Sequence, residues 1–269
     1  MTTISAEDLT IAYEQRTIID KLSFYIPEGK ITTIIGANGC GKSSLLKALT
    51  RLLPPKQGVV YLNGQNIATL ETKEVAKKLA LLPQVQEATN GITVYELVSY
   101  GRFPHQSYFG NLSPADKKAI HWAMQATNVM AYADQPVDAL SGGQRQRVWL
   151  AMALAQGTDT IFLDEPTTYL DLNHQLEILE LVKSLNKDAG KTIVMVLHDL
   201  NLSARYSDHL IAMKHGKIHY TGTIADVMTS PIIQDIFQIK PVLVDDPIHN
   251  CPIVLTYHSR HLPNQTGTG

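Results

Sequence analysis

A glycine-rich segment that ends in a lysine and a serine carries the clearest chemical signal in this sequence. Residues 36–43 read Gly-Ala-Asn-Gly-Cys-Gly-Lys-Ser and lie between an apolar run and an amphipathic one. Glycines let backbone N–H groups turn toward an anion, and the N-terminus of a following helix attracts it. We expect Lys42 to reach bound phosphates and the Ser43 hydroxyl to bind Mg²⁺, which prefers oxygen ligands. The alternative is a chance glycine-rich turn, but the position between strand and helix favours a phosphate site.

Two adjacent carboxylates end a second apolar run. Residues 161–165 read Ile-Phe-Leu-Asp-Glu. If the sheet is parallel, this strand end lies next to the phosphate loop. Asp164 is therefore predicted to hold the Mg²⁺ shell, and Glu165 to polarise a water that attacks a phosphate. The alternative is an ordinary exit from a strand into a loop, since Pro166 follows.

A third segment combines a helix cap with two glycines. Residues 140–147 read Leu-Ser-Gly-Gly-Gln-Arg-Gln-Arg, and Ser141 is predicted to cap a helix that continues through Leu154. An ordinary capped helix would explain Ser141 but not the paired glycines. These residues, called the signature segment below, resemble the signature sequence of ATP-binding-cassette (ABC) ATPases. Residues 161–165 resemble the Walker B strand of the same family.

Four single residues fit this family pattern by their order and spacing. Gln84 resembles the Q-loop glutamine that reaches the metal or water, and His198 resembles the switch histidine that contacts the γ phosphate. Tyr13 resembles the aromatic residue that stacks on adenine. Asp171 matches the D-loop, residues 167–171, which touches a partner subunit. Each residue type is commonplace at such a position when taken alone. The family more often has Ser where Thr168 stands, and Thr keeps the hydroxyl.

The resemblance covers residues 9–228 and implies a working ATP hydrolase that uses ATP and Mg²⁺. Every catalytic element occurs once, in the order of the family. The predicted catalytic residues are Glu165, His198, Lys42 and Gln84. The predicted metal ligands are Ser43, Gln84 and Asp164. The predicted nucleotide-binding residues are Tyr13, Gly36, Asn38, Gly39, Cys40, Gly41, Lys42, Ser43, Ser44, Ser141, Gly142, Gly143 and Gln144.

The same resemblance implies partners. In the family fold the signature segment lies too far from the phosphate loop of its own chain, so it completes the site of a second copy bound head to tail. ATP then favours the closed pair, and hydrolysis releases it. Polytopic permease subunits are expected to contact the chain near Gln84, and through them a substrate-binding protein. This places the chain at the cytoplasmic face of the cell membrane, as a peripheral protein.

Three segments resemble the ATPases of iron-siderophore importers in particular, and they are residues 100–105, 171–175 and 198–206. They imply uptake of a ferric siderophore. Because the cargo passes through other subunits, none of these residues is expected to touch it. A related importer of vitamin B12 or haem is one alternative. A soluble ABC ATPase of iron–sulfur cluster assembly is the alternative outside transport.

Local patterns predict the elements that must position these residues. Strands are predicted at residues 31–35, 59–62, 79–82, 160–163 and 192–197. Helices are predicted from residue 44 to 49, from 116 to 129 and from 174 to 185. The strands at 160–163 and 192–197 are almost wholly apolar, which indicates one central sheet covered on both faces.

The predicted fold is therefore α/β. The family resemblance makes it a P-loop NTPase (ABC ATPase) fold with a mixed or parallel central sheet, an antiparallel β subdomain and an inserted helical subdomain. The ATPase domain is expected at residues 1–240, with the helical subdomain inserted at about 85–155. Residues 241–269 are expected to form a C-terminal hairpin, at 242–257, and a polar tail from residue 258.

Bulk composition narrows the classes of function. Of 269 residues, 44% are hydrophobic, enough for a full core, and 23 basic against 25 acidic residues leave no basic block. We therefore expect no nucleic-acid partner. The only cysteines, Cys40 and Cys251, fit a reducing compartment. No apolar stretch approaches the ~20 residues that cross a bilayer, and the N-terminus lacks the features of a secretory signal.

Four residues near the C-terminus raise the idea of a metal site, namely His249, Cys251, His258 and His261. Their spacing matches no closed zinc pattern. A plain hairpin with a polar tail is the prediction.

Overall fold

The computed structural model describes residues 3–84, 91–106, 111–168 and 170–259. Its strands are β1 (Ile4–Tyr13), β2 (Arg16–Ile26), β3 (Ile31–Gly36), β4 (Gln57–Leu62), β5 (Gln65–Asn66), β6 (Leu79–Leu82), β7 (Thr160–Asp164), β8 (Thr192–Val196), β9 (His209–Lys214), β10 (Lys217–Thr223), β11 (Ile239–Asp245) and β12 (Pro252–Ser259). Its α-helices are α1 (Lys42–Leu49), α2 (Thr72–Ala76), α3 (Val94–Tyr100), α4 (Pro114–Ala126), α5 (Gly142–Ala155), α6 (Leu172–Ala189), α7 (Leu200–Tyr206), α8 (Ile224–Val227) and α9 (Ser230–Phe237).

The central sheet brings together the strand ends that carry the predicted site residues. Its order is β10-β9-β3-β8-β7-β6. The strands from β9 to β6 run parallel, and β10 pairs antiparallel with β9 at one edge. β3, β7 and β8 are buried along their whole length. The predicted mixed sheet is confirmed, and its parallel strands put their carboxyl ends at one edge.

Alternate residues of the central strands point into two different cores. Phe162 packs in the same core as Leu45 of α1. Its neighbours Ile161 and Leu163 point the other way and pack in the core that includes Leu179 of α6. Phe162 is 0% exposed, so its truncation to alanine would cost about 3–5 kcal/mol. The helices that begin beside the site are thus fixed by opposite faces of one sheet.

An antiparallel sheet of order β2-β1-β4-β5 covers α1 and corresponds to the predicted β subdomain. Its apolar residues, among them Ile11 and Val60, join the core that holds Leu45. β1 and β2 form a hairpin whose last pair is Tyr13 with Arg16. Tyr13 therefore lies at the tip of the hairpin, beside the start of α1.

The helices α3, α4 and α5 pack against one another between residues 94 and 155. Residues 85–90 and 107–110 of the predicted insertion lie outside the described residues.

The helix predicted at 116–129 begins earlier, at Pro114, where Ser113 caps it. It also ends earlier, at Ala126. The Thr127 hydroxyl bonds back to the Ala123 carbonyl at 2.9 Å, and Asn128 has a positive φ of 55°.

A buried ion pair ties these helices together. Nε of Arg102 lies 2.8 Å from Oδ1 of Asp116, and Nη1 donates to the carbonyl of Ala155 at 2.6 Å. The hydrogen bond from the Ser113 hydroxyl, and after it the Arg102 guanidinium, lower the pKa of Asp116 to about 2. The end of α3, the start of α4 and the end of α5 are thereby held by one guanidinium.

The C-terminal part contains elements that local patterns did not predict. For residues 200–239 no element was predicted, and the structure has α7, β9, β10, α8 and α9 there. The predicted hairpin is present as β11 and β12, but it runs to Ser259. His258 pairs with Lys240, and Ser259 pairs with Ile239. The prediction of a tail from residue 258 was therefore wrong for His258 and Ser259. Backbone pairing continues although the side chains are polar. The rest of the predicted tail, 260–269, lies outside the described residues.

Two hydrogen bonds from one side chain join the hairpin to α7. Oδ1 and Nδ2 of Asn201 bond the backbone N–H and carbonyl of Val254 at 2.8 and 3.1 Å. Across the described ranges, no group of three or more His, Cys, Asp or Glu side chains could hold a metal ion. His261 lies outside these ranges. None of the described helices is long and apolar enough to span a membrane.

Candidate active site

The phosphate loop joins the end of β3 to the start of α1, in the predicted order of strand, loop and helix. Gly36, Gly39 and Gly41 have positive φ angles of 152°, 76° and 106°. A Cβ on Gly36 would lie 2.3 Å from the backbone oxygen of Met213 on the neighbouring strand. Only glycine fits this close approach, so the loop starts where β3 and β9 leave no room for a side chain.

Lys42 supplies a buried positive charge beneath this loop. The residue is 5% exposed, and its Nζ donates to the carbonyls of Gly36 at 2.9 Å and Ala37 at 3.2 Å. No ion pair within the described ranges includes it. Burial makes the charge of this ammonium costly, and its electrostatic interaction with the Asp164 carboxylate offsets part of that cost. The loop is therefore suited to an anionic ligand that adds further negative charge.

Ser43 and Asp164 form a pair of oxygen donors between the loop and the end of β7. Oγ of Ser43 donates to Oδ1 of Asp164 at 3.0 Å. Burial raises the pKa of Asp164, and the neighbouring Glu165 carboxylate raises it further. A hydroxyl and a carboxylate are the oxygen ligands that Mg²⁺ takes alongside phosphate and water. The donor set fits that ion, which would also stabilise the ionised form of Asp164.

Glu165 is held by groups that follow three different strands. Its Oε2 accepts from Nε2 of Gln84 at 2.6 Å and from the Thr168 hydroxyl at 3.1 Å. Nε2 of His198 lies 2.5 Å from Oε1. Glu165 itself has a positive φ of 53°, a conformation that is strained for a residue with a side chain. The carboxylate is thus fixed in position from both oxygens.

These groups line one open cavity of about 440 Å³. Its lining residues are Asn38, Gly39, Lys42, Ser43, Gln84, Glu165, Thr168 and His198. Thr168 was not predicted as a site residue, although a hydroxyl three positions after the glutamate was the available signal. The other seven had been predicted, and parallel strand ends bring them together. The cavity can bind a polyphosphate and present a carboxylate to a water.

Tyr13 and Cys40 were predicted to bind the nucleotide but do not line this cavity. Tyr13 is 45% exposed, and its hydroxyl lies 3.4 Å from Oγ of Ser44. The thiol of Cys40 is buried, and a Cβ on Gly36 would lie 2.9 Å from its Sγ. Burial raises the pKa of this thiol. Cys40 therefore packs its side chain beneath the loop, and only its backbone can face a phosphate.

The signature segment is not brought to this cavity. Ser141 caps α5 as predicted: its Oγ accepts from the N–H of Gln144 at 3.3 Å, and its own N–H donates to Oε1 of Gln144 at 3.0 Å. None of the predicted residues from Ser141 to Gln144 lines the cavity. Nε2 of Gln146 donates to the carbonyl of Pro166 at 3.0 Å, so α5 is tied to the exit of β7.

Asp171 of the D-loop caps α6. Its Oδ1 accepts from the N–H of His174 at 2.9 Å. Tyr169, within the same loop, lies outside the described residues. Asp171 and Ser141 are both exposed, so the D-loop and the signature segment present polar groups to the surface.

Residues 19–168 match the family described as ABC transporter. Two curated relatives are similar along nearly the whole chain. The iron(3+)-hydroxamate import ATP-binding protein of Bacillus subtilis is 55% identical over 257 residues, which cover 96% of each chain. The achromobactin transport ATP-binding protein of Dickeya dadantii is 46% identical over 268 residues, which cover 100% of this chain and 99% of the relative.

Two solved structures are similar in fold and in sequence. A metal-chelate type ABC transporter in an inward-facing conformation aligns with a TM-score of 0.80 and 25% identity, over 96% of both chains. A dimeric ATP-binding cassette in a post-hydrolysis state, bound to ADP and Pi, aligns with a TM-score of 0.70 and 29% identity. That alignment covers 82% of this chain and 98% of the cassette.

Proposed function

The chain belongs to the ABC transporter family, and on that premise we propose that it is the ATP-hydrolysing subunit of a ferric-siderophore importer. The observation that carries the hydrolytic part is the Glu165 carboxylate, fixed by Gln84 and His198 beside a cavity floored by Lys42. Identity of 55% to an iron(3+)-hydroxamate import protein along nearly the whole chain supports the cargo.

The phosphate loop and Lys42 bind the phosphates of ATP in this proposal. Positive charge and inward N–H groups neutralise the charge that develops on the transferred phosphoryl group. Ser43, Asp164 and Gln84 would hold Mg²⁺, which would supply further charge neutralisation when bound. Tyr13, at the tip of its hairpin, stacks on the adenine. Lys42, Ser43 and Gln84 line the cavity, and Asp164 accepts a hydrogen bond from Ser43, which supports these roles.

Glu165 acts as the general base. A water between its carboxylate and the terminal phosphate gives a proton to Glu165 while its oxygen bonds to phosphorus, and the bond from phosphorus to ADP breaks. His198 contacts the terminal phosphate and holds Oε1 of the base. Gln84 and Thr168 hold Oε2, so the lone pair that takes the proton keeps a fixed direction.

A second copy of the chain completes the site. The signature segment, Ser141 to Gln144, lies away from the cavity of its own chain and offers a capped helix N-terminus to the phosphates held by the partner. Likeness to a dimeric cassette bound to ADP and Pi supports this arrangement. ATP then closes the pair and hydrolysis opens it.

Permease subunits, and through them a substrate-binding protein, receive this motion. The chain lies at the cytoplasmic face of the membrane through the permease. Residues 1–240 form the ATPase unit, with the helical subdomain at about 85–155, and residues 241–269 are appended to it. In this proposal the helices between residues 94 and 155 are the part that transmits closure.

Uptake tests the cargo directly. Cells lacking their own siderophore ATPase would express this chain with candidate permease pairs, and the labelled cargoes would be a ferric hydroxamate and cobalamin. We expect ATP-dependent uptake of the ferric siderophore only. Uptake of cobalamin alone, with hydrolysis intact, would contradict the iron assignment and leave the ATPase assignment standing.

A further inference from the structure

The imidazole of His174 lies beside both the signature segment and the D-loop. These are the two surface segments that would meet the second copy in the proposed dimer. A Cβ on Gly143 of the signature segment would lie 3.4 Å from Cγ and 3.5 Å from Cδ2 and Nδ1 of His174. These are ordinary van der Waals separations, so the imidazole lies over the side of Gly143 from which a side chain would project. Nδ1 of the same ring lies 2.8 Å from Oδ1 of Asp171 in the D-loop. His174 therefore bridges the two segments.

A second contact repeats the pairing one turn further along both helices. Nη1 of Arg147 lies 3.0 Å from Oε2 of Glu177. Gly143 and Arg147 are four residues apart on α5, and His174 and Glu177 are three apart on α6, so each pair shares one helix face. The N-terminal turns of α5 and α6 thus meet along a row of two contacts, of which His174 is the one nearest the exposed ends.

The charge pattern supports a bridge rather than two separate caps. Oδ1 of Asp171 accepts from the backbone N–H of His174 and also faces its ring, and these hydrogen bonds lower the pKa of Asp171. Asp171 thus accepts from the backbone N–H and faces the ring of the same residue, while that ring also lies beside Gly143. If Asp171 only capped the helix, its backbone bond would suffice, and any residue could stand at position 174.

From these contacts we infer that His174 is a positioning residue that holds the signature segment and the D-loop in one fixed arrangement for dimer closure. The inference rests on the proposed function. Two loops that meet a partner together must each be ordered, and ordering them separately costs free energy on association. A ring that already links them removes part of that cost. Its loss weakens closure without touching the ATP cavity of the same chain.

ATP-dependent dimerisation of the full chain tests this. Glu165→Gln serves as the background, because hydrolysis would otherwise dissolve the dimer. His174→Ala removes both contacts. His174→Phe keeps a ring against Gly143 but cannot donate to Asp171. His121→Ala, at an exposed histidine on α4, is the matched control. Light scattering gives the ATP concentration for half dimerisation, and a fluorescent ATP analogue gives nucleotide binding by the monomer.

We expect the half-dimerisation concentration to rise about tenfold for His174→Ala, about threefold for His174→Phe and less than twofold for His121→Ala. Monomer binding of the analogue and the thermal midpoint should stay near those of the background. Should His174→Ala not fold, His174→Phe carries the test. Dimerisation by His174→Phe that equals the control would overturn the inference, as would a parallel loss of monomer binding. A background chain that stays monomeric with ATP would instead sink the proposed function.

Discussion

Gly36 offers a test of how closely the phosphate loop is fitted to the sheet. The perturbation is Gly36→Ala, compared with Gly39→Ala in the same loop. A Cβ on Gly36 would lie 2.3 Å from the backbone oxygen of Met213, and a backbone atom on a buried strand cannot move aside cheaply. A Cβ on Gly39 would meet nothing within 4 Å. Both variants therefore add one methyl group, but only the methyl group at position 36 would clash with the backbone of the neighbouring strand.

The expected magnitudes follow from these two environments. Both positions have positive φ, 152° and 76°, which costs a residue with a side chain about 1–3 kcal/mol. Gly36→Ala adds overpacking of about 1–3 kcal/mol. The lower entropy of alanine in the unfolded chain offsets about 0.4–1 kcal/mol in both. These contributions give an expected loss of about 1–5.6 kcal/mol of unfolding free energy for Gly36→Ala and about 0–2.6 kcal/mol for Gly39→Ala.

Urea unfolding without nucleotide, followed by circular dichroism, measures the difference. Nucleotide must be absent because it would stabilise whichever chain still bound it. The slope of unfolding free energy against urea should be the same in both variants, so that the midpoints report stability. Equal midpoints for Gly36→Ala and Gly39→Ala would refute the claim that the β3–β9 contact, and not phosphate binding alone, requires glycine at position 36.

Two further predictions concern the scaffold around the site. Asp116→Asn should cost roughly 3 kcal/mol near neutral pH, since it leaves Arg102 buried without a carboxylate. Because the pKa of Asp116 is lowered from 3.8 to about 2 in the fold, its contribution is present above pH ~4 and is lost as the pH falls toward 2. The acid side of the stability curve should therefore be shallower in the variant, and an identical curve would contradict the ion pair. Asn201→Ala should cost about 1–3 kcal/mol and speed amide exchange in β12, since it removes two hydrogen bonds to Val254. Unchanged exchange would show that the hairpin is held by other contacts.

The parts of the site that sequence alone could predict are local ones. The phosphate loop lies within eight consecutive residues, and its glycines, Lys42 and Ser43 act through neighbouring backbone. The cap of α5 joins Ser141 to Gln144 three residues on. The apolar strand before Asp164 indicates a buried parallel strand, which the structure confirms. Such features depend on spacing that is visible in a single sequence.

Contacts between distant segments could not be predicted in the same way. Gln84 and Glu165 are 81 residues apart, and only the pairing of β6 with β7 brings them to 2.6 Å. The ring of His174 meets Gly143 because α5 and α6 pack at their N-termini. The strands and helices between residues 200 and 239 are too short for the spacing of their apolar residues to distinguish a helix from a strand. α4 ends before residue 129 because Thr127 and Asn128 leave the helical conformation.

Glu165→Gln tests the central claim most directly. The amide keeps the size of the side chain and one acceptor oxygen but cannot take a proton from water. Phosphate release and light scattering would be measured on the wild type, on this variant and on Glu71→Gln, an exposed glutamate before α2. We predict hydrolysis at least about 100-fold slower, with an ATP-dependent dimer that persists, while Glu71→Gln behaves as wild type. Hydrolysis by Glu165→Gln at the wild-type rate would contradict the assignment of Glu165 as the general base.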